Sequence, residues 1–252
     1  MSLSGKNVVV TGGASGIGRG IALRLARDGA NVAIFDRNVA GAENVADELR
    51  LQGYQAIACA VDVTDRAQVT AAVQRTRQEL GPIQVLVNDA GIGNFVLLSQ
   101  MTEAQWDQMI AIHVKGTFFC TKACVQDMIA VKWGRVVNIS STAGLGGSPG
   151  LTHYSAAKAA LIGFTRALAQ ELGPLGITVN AIAPGLIETP ILQKDGRITG
   201  RMQKFMEMTV ERSPVRRIGA PADIAAACAY LVSEDASFCT GQVVSPNGGI
   251  YT

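Results

Sequence analysis

The chain has 252 residues, 48% of them hydrophobic and 17% charged, enough to bury a substantial core at the upper end of what one domain contains. Its 22 basic and 20 acidic residues are scattered and leave a formal charge of +2, a pattern without the electrostatic footprint of a nucleic-acid or membrane-surface binder. No apolar stretch approaches the roughly 18 residues of a membrane span. Five irregularly spaced cysteines, Cys59, Cys120, Cys124, Cys228 and Cys239, read as free thiols. The opening MSLSGKNVVV lacks the apolar core of a secretory signal, so a cytoplasmic protein is expected.

The first predicted strand is KNVVVT. It runs into Thr11-Gly-Gly-Ala-Ser-Gly-Ile-Gly18 and then an apolar-periodic helix, RGIALRLARDG. Gly12, Gly16 and Gly18, with Ser15 and Ile17 between them, permit a tight turn and close approach to a pyrophosphate. The helix start offers unpaired N–H groups and a positive dipole. Asp36 ends the second strand about 20 residues beyond the turn, where a carboxylate accepts both ribose hydroxyls and repels a 2′-phosphate. That reading favours NAD. Arg37 complicates it, since a guanidinium grips phosphate, but Ser15 adds no second cation.

Five times a helical segment ends at glycine and a β-rich run follows: DGANVAIFD, QGYQAIACAVD, LGPIQVLVND, WGRVVNIS and LGITVNAIAP. Glycine in the left-handed conformation stops helices, and unbroken Val/Ile runs suit strands buried on both faces. With KNVVVT and GQVVSP, about seven parallel strands are expected in one α/β domain over 1–252. The expected fold is a doubly wound, Rossmann-type sheet with helices on both faces. Residues 1–150, approximately, form its cofactor-binding part. Thr102 to Gln105 has the form of a capping box, and Tyr154 to Leu172 reads as a helix stopped by Gly173 and Pro174. The irregular stretch 190–221 interrupts the alternation after the sixth strand and reads as a substrate lid.

Tyr154 and Lys158 stand at i and i+4, on one helix face. A tyrosine working as a proton shuttle near neutrality needs its pKa lowered by about three units, about 4 kcal/mol. Lys158, the helix's first turn and a cationic nicotinamide would each favour phenolate. Together with TGGASGIG, Asp62-Val63, Asn88-Asp-Ala-Gly91, Gly134 to Ser141, Asn180 to Gly185 and Thr189, this pair makes nearly the whole chain resemble the short-chain dehydrogenase/reductase family.

The resemblance implies that Tyr154 is the general acid/base, that Ser141 rather than Ser140 bonds the substrate oxygen, and that Lys158 binds the nicotinamide ribose. It implies that Asp62 and Val63 contact adenine, and that Asn88, Ala90 and Gly91 line the cofactor cleft. The loop Pro184-Gly185, with the Ile187 backbone and Thr189, would hold the carboxamide. A homotetramer is implied, pairing helices near 102–131 and 154–172. No metal is expected, since hydride passes directly between carbon and cofactor; His113, Cys120 and Cys124 would spread over roughly 16 Å of helix in any case.

Three positions depart from the family pattern. Asp89 replaces an asparagine, Asn247 replaces an aspartate before the last Gly-Gly, and His113 replaces the asparagine whose carbonyl, at a helix kink, holds a water in the family's proton relay. His113 is read as a structural residue that preserves the relay, as a ring that joins it, or as damage to it, with its backbone expected to matter more than its ring.

Residues after the fourth and fifth strands and in the lid are expected to face substrate: Asn94, Phe95, Ala143, Leu145, Ser148, His153, Leu186 and Met202, with Arg197 and Arg201 as lid cations. This mostly apolar set suits a secondary alcohol or ketone. His153 reads equally as an exposed helix-start residue. The leading function is an NAD-dependent secondary-alcohol dehydrogenase. The rivals are an NADPH-dependent 3-oxoacyl-thioester ketoreductase and a catalytically silent cofactor-binding subunit.

Overall fold

The computed structural model describes residues 3–192 and 200–251. Seven strands, β1 (Asn7–Thr11), β2 (Asn31–Asp36), β3 (Ala56–Ala60), β4 (Val85–Asn88), β5 (Gly134–Ile139), β6 (Ile177–Ile182) and β7 (Val243–Val244), form one sheet in the order β3-β2-β1-β4-β5-β6-β7. Every pairing is parallel, as the unbroken apolar runs require.

Side chains alternate across the sheet. Val8 and Val10 enter one core with α1 (Gly16–Arg27), α2 (Val39–Leu51) and α9 (Pro221–Val232). Val9 enters the other, with α3 (Arg66–Glu79), α5 (Gly116–Val131) and α7 (Thr152–Leu172). The remaining described helices, α4 (Glu103–Ile110), α6 (Thr142–Gly146) and α8 (Gly200–Arg212), follow β4, β5 and β6 on the side where the strands end. Strand order reverses between β1 and β4, so a crevice opens beyond their carboxyl ends. There the Thr11 hydroxyl accepts from the Asp89 and Ala90 N–H groups, both at 3.1 Å, binding the two ends together.

The helix stops follow the expected rule at four of five places. Gly29, Gly53, Gly81 and Gly176 have positive φ, but before β5 the left-handed residue is Lys132. Gly134 serves a different need: a Cβ there would stand 2.6 Å from Met128 Cβ. The Thr102 capping box is present, and among the described residues no helix is long and apolar enough to cross a membrane. The five cysteines are unpaired, four of them buried.

Candidate active site

The first turn after β1 is shaped by absent side chains. A Cβ on Gly12 would stand 2.9 Å from Ala90 Cα, and one on Gly18 would stand 2.8 Å from Asp89 Oδ2, so glycine is required for the turn to lie against the end of β4. Gly16, at φ +55°, lies against Thr189, bringing the turn beside the loop after β6. Ser15 is the N-cap of α1 but makes no capping bond with its side chain, and Ile17 packs on the core. Asp36 bridges two segments: Oδ2 accepts from the Ala14 N–H at 3.1 Å and Oδ1 from the Asn38 N–H at 2.8 Å.

A cavity of about 260 Å³ is lined by Gly12, Asp36, Arg37, Asp62, Val63, Ala90 and Gly91. Its lining joins the turn after β1 through Gly12 to the ends of β2 and β4 through Asp36 and Ala90. These features fit an adenosine diphosphate moiety. The Asp62 carboxylate itself bonds Thr64 at 2.8 and 2.7 Å. Asn88, expected in the cleft, instead uses its amide inside the fold, donating to Thr121 Oγ1 at 3.1 Å and Asn138 Oδ1 at 2.9 Å.

The second half of the site hangs on β5 and α7. Ser141 caps α6, its oxygen accepting from the Ala143 N–H at 3.1 Å, and its hydroxyl favours ionisation of the neighbouring Tyr154 phenol. Neighbouring Ser140 is committed elsewhere, donating to the Lys158 carbonyl at 2.8 Å. Lys158 is buried, donates to the Ile139 carbonyl at 2.7 Å, and lies 5.6 Å from the Tyr154 ring centroid. Burial presses its ammonium down from the ordinary value, and the Asp89 carboxylate opposes that shift. Reciprocally, burial pushes the Asp89 carboxyl up, while Lys158 and the Gly18 N–H pull it back.

Tyr154 departs from expectation. Its hydroxyl is pushed up to about 12, chiefly by burial, which outweighs the opposing influence of Ser141; the Asp89 charge adds to the rise. The downward shift expected from the lysine and helix start is therefore absent in the protein alone.

His113 sits in a π-helical turn, Ala111–Lys115, between α4 and α5, so the kink survives without asparagine. Its carbonyl accepts from Thr117 Oγ1 at 2.7 Å. Its Nε2 faces the Ile92 carbonyl at 3.0 Å and the Ile92 N–H at 3.2 Å, so either tautomer finds a partner. The ring occupies the space of a Cβ on Gly91 and meets the Tyr154 ring edge-on, centroids 5.5 Å apart. Burial first, then the Lys158 charge, lowers its pKa to about 3. The ring is thus as constrained as the backbone, which sequence reasoning had ranked above it.

The loop after β6 closes the far side. Leu186 to Glu188 pairs with Gly219, through Gly219 N–H to the Leu186 carbonyl at 2.9 Å and Glu188 N–H to the Gly219 carbonyl at 2.8 Å. This clamps the base of the 190–221 excursion. Gly185 is anchored by its N–H to the Pro246 carbonyl at 3.2 Å, while Pro184 accepts from the Thr142 N–H at 3.0 Å beside Ser141.

Among the expected substrate-facing residues, Asn94 and Phe95 are exposed, and Ala143, Leu145, Ser148 and Leu186 are half-buried. His153 is a correction. It is fully buried, on a helix that packs against α4 and α6, and neither ring nitrogen has a partner. Arg197 and the side chains of Arg201 and Met202 lie outside the described residues. Sequence reasoning missed Thr11 and Ile92; the signal for Thr11 was a lone hydroxyl ending an apolar strand.

The comparisons agree with this geometry. A family model described as short chain dehydrogenase matches residues 6–198. The (2S)-[(R)-hydroxy(phenyl)methyl]succinyl-CoA dehydrogenase subunit BbsD of Thauera aromatica is 41% identical, covering 99% of this chain and 98% of its own. The 3-oxoacyl-[acyl-carrier-protein] reductase FabG of Thermotoga maritima is 39% identical over 99% of both chains. A solved structure from Sinorhizobium meliloti 1021, assigned as a short-chain alcohol dehydrogenase, superposes with a TM-score of 0.93 at 34% identity, covering 99% of this chain and 97% of that one. The chain belongs to the short-chain dehydrogenase/reductase family.

Proposed function

We propose that the protein is an NAD-dependent oxidoreductase that interconverts a secondary alcohol and a ketone. The observation that carries this reading is the Tyr154 phenol beside Ser141 and the buried Lys158 ammonium, with the His113 ring joining Tyr154 to Gly91 at the wall of the cavity that presents Asp36. When bound, NAD supplies the hydride acceptor and, oxidised, a positive charge. The glycine turn would hold its pyrophosphate, Asp36 its adenosine ribose, Asp62 and Val63 its adenine, and the 184–189 loop its carboxamide end.

In alcohol oxidation Ser141 orients the hydroxyl and Tyr154 accepts its proton; in ketone reduction Tyr154 returns it. The phenol, pushed up to about 12 in the protein alone, needs added positive charge for oxidation near neutrality, whereas a protonated tyrosine is already the acid that reduction requires. Lys158 supplies part of that charge and an N–H donor for a ribose hydroxyl. The exposed Trp106 on α4 and Phe118 on α5 suit pairing of these helices in a homotetramer.

A second reading draws on the relatives' names, two of which concern acyl thioesters: a 3-oxoacyl-thioester ketoreductase using NADPH. Absorbance of reduced cofactor, followed with NAD(H) and NADP(H) across simple ketones, secondary alcohols and acetoacetyl-CoA, separates the two. Turnover with NAD alone supports the proposal, turnover with NADPH on the thioester alone supports the second reading, and inertness with both cofactors leaves a silent binding subunit. In the active case Tyr154→Phe abolishes turnover while cofactor binding persists.

A further inference from the structure

The segment after β7 is fixed by one side chain. Asn247 Nδ2 donates to Ser245 Oγ at 2.8 Å and to the Tyr251 carbonyl at 2.7 Å, while Oδ1 accepts from the Gly249 N–H at 2.8 Å and the Tyr251 N–H at 3.5 Å. The Ser245 hydroxyl gives its own proton to the Ala183 carbonyl at 2.7 Å. Both groups facing Nδ2 are therefore acceptors with no proton to offer. The position needs a donor, which an aspartate cannot supply.

What Asn247 holds in place lies where three parts of the site meet. A Cβ on Gly185, in the loop after β6, would stand 2.9 Å from Asn247 Cα. The Gly248 carbonyl accepts from Ser213 Oγ at 2.9 Å and the Val215 N–H at 3.3 Å, beyond α8. The Tyr251 ring lies against Gly146, where a Cβ would stand 3.3 Å from Tyr251 Cδ2. Gly146 ends the helix that Ser141 caps, so at 1.5 Å per residue the ring meets α6 about 7 Å along from Ser141. On the same loop the Phe95 ring lies against Gly150, where a Cβ would stand 2.9 Å from Phe95 Cδ2. The two rings keep 42% and 60% of their surface exposed, for Tyr251 and Phe95 respectively. They leave apolar faces at Gly146 and Gly150, in the middle and at the far end of the stretch that begins at Ser141.

We infer that Tyr251, held by Asn247, is a specificity-determining wall of the substrate site, which with Phe95 selects ketones carrying a flat, apolar substituent beside the carbonyl. The inference rests on the hydride-transfer reading and narrows its substrate class. Ring faces left open at a site mouth gain most from a planar apolar group, about 0.5–1.5 kcal/mol per contact or up to roughly tenfold in affinity.

The test compares reduction of ethyl benzoylacetate and ethyl acetoacetate with NADH in the full chain. The wild type should favour the aryl ester. Tyr251→Ala should cut that preference by about fivefold through the aryl ester's KM, the size of one aromatic contact, and Tyr251→Phe should hold it within about twofold. Asn247→Asp should reproduce the loss seen in Tyr251→Ala and speed amide exchange across 245–251. A wild-type preference for the alkyl ester, an unchanged ratio in Tyr251→Ala, or an Asn247→Asp variant that matches wild type in ratio and exchange would each overturn the inference. A wild type inert towards both esters with NADH and NADPH sinks the hydride-transfer reading and takes this role with it; turnover with an unmoved ratio sinks only the role of Tyr251.

Discussion

Replacing His113 with asparagine should change how stability depends on pH. The ring is 2% exposed and its pKa is lowered to about 3 from the ordinary 6.5. Between those values the unfolded chain binds a proton that the folded chain refuses. The stabilisation is therefore complete above about pH 6.5 and is lost as pH falls towards 3. At pH 5, one and a half units into the window, the ring has forfeited about 2 kcal/mol, at about 1.4 kcal/mol per unit. That figure hardly changes for any folded value below about 4, because the unfolded ring sets it.

Urea unfolding at pH 7.5 and 5.0, at one protein concentration, measures the effect. Wild type should lose about 2 kcal/mol more than His113→Asn between the two conditions, equivalent to roughly 4–8 °C in Tm. His113→Gln is a second variant that keeps more of the ring's volume against Gly91 and Tyr154. Equal losses in all three proteins would refute the reasoning, because the ring would then be free to take its proton in the folded state. Kinetics give an independent check. A ring that stays neutral through the working range cannot produce an acidic limb near pH 6, so any such limb should persist in His113→Asn.

Asp36→Ser should move cofactor choice towards NADP. Removing a like charge about 4 Å from a 2′-phosphate relieves about 1–4 kcal/mol per unit charge, for effective dielectrics between 80 and 20, so the NADP/NAD ratio of kcat/KM should rise by at least about fivefold. A wild type that already uses NADP as well as NAD would contradict this account. Asp89→Asn removes a negative charge that raises the Tyr154 pKa, so the rising limb of alcohol oxidation should move to lower pH. An unmoved or upward-shifted limb in the variant's pH–rate profile would show that Asp89 does not act on the phenol.

The sheet was readable because each strand is an apolar run in register with its neighbours, and because such runs suit burial on both faces. The exceptions mark where tertiary contacts override local signals. Trp133-Gly134 looks like a helix stop followed by a strand, yet Lys132 takes the left-handed conformation, and Gly134 answers to Met128 packing instead. His153 reads as a helix-start polar residue, but it is buried on a helix that packs against α4 and α6. Candidate site residues carried by local motifs, such as Gly12, Tyr154 and Lys158, are legible from motif spacing taken together with the family resemblance. The approach of Asp89 to Gly18 and the bonds from Asn247 to Tyr251 are not legible in the sequence. The first joins residues 71 positions apart; the second depends on which proton each neighbour has already given away.

The departures at Asp89 and His113 meet at Lys158. A neutral imidazole edge-on to Tyr154 would become a rival proton carrier if it titrated near neutrality. Burial keeps it from doing so, and the Lys158 charge adds to that effect. Lys158 is itself buried, and the Asp89 carboxylate supports its positive charge. Asp89 in turn keeps a buried carboxyl beside an opposite charge and the Gly18 N–H. An asparagine at position 113 would need no such suppression, since an amide does not titrate. An asparagine at 89 would leave the ammonium less supported. The two departures therefore compensate electrostatically: the carboxylate sustains the ammonium and the ammonium helps hold the imidazole neutral, which in the proposed function leaves Tyr154 as the proton carrier next to Ser141.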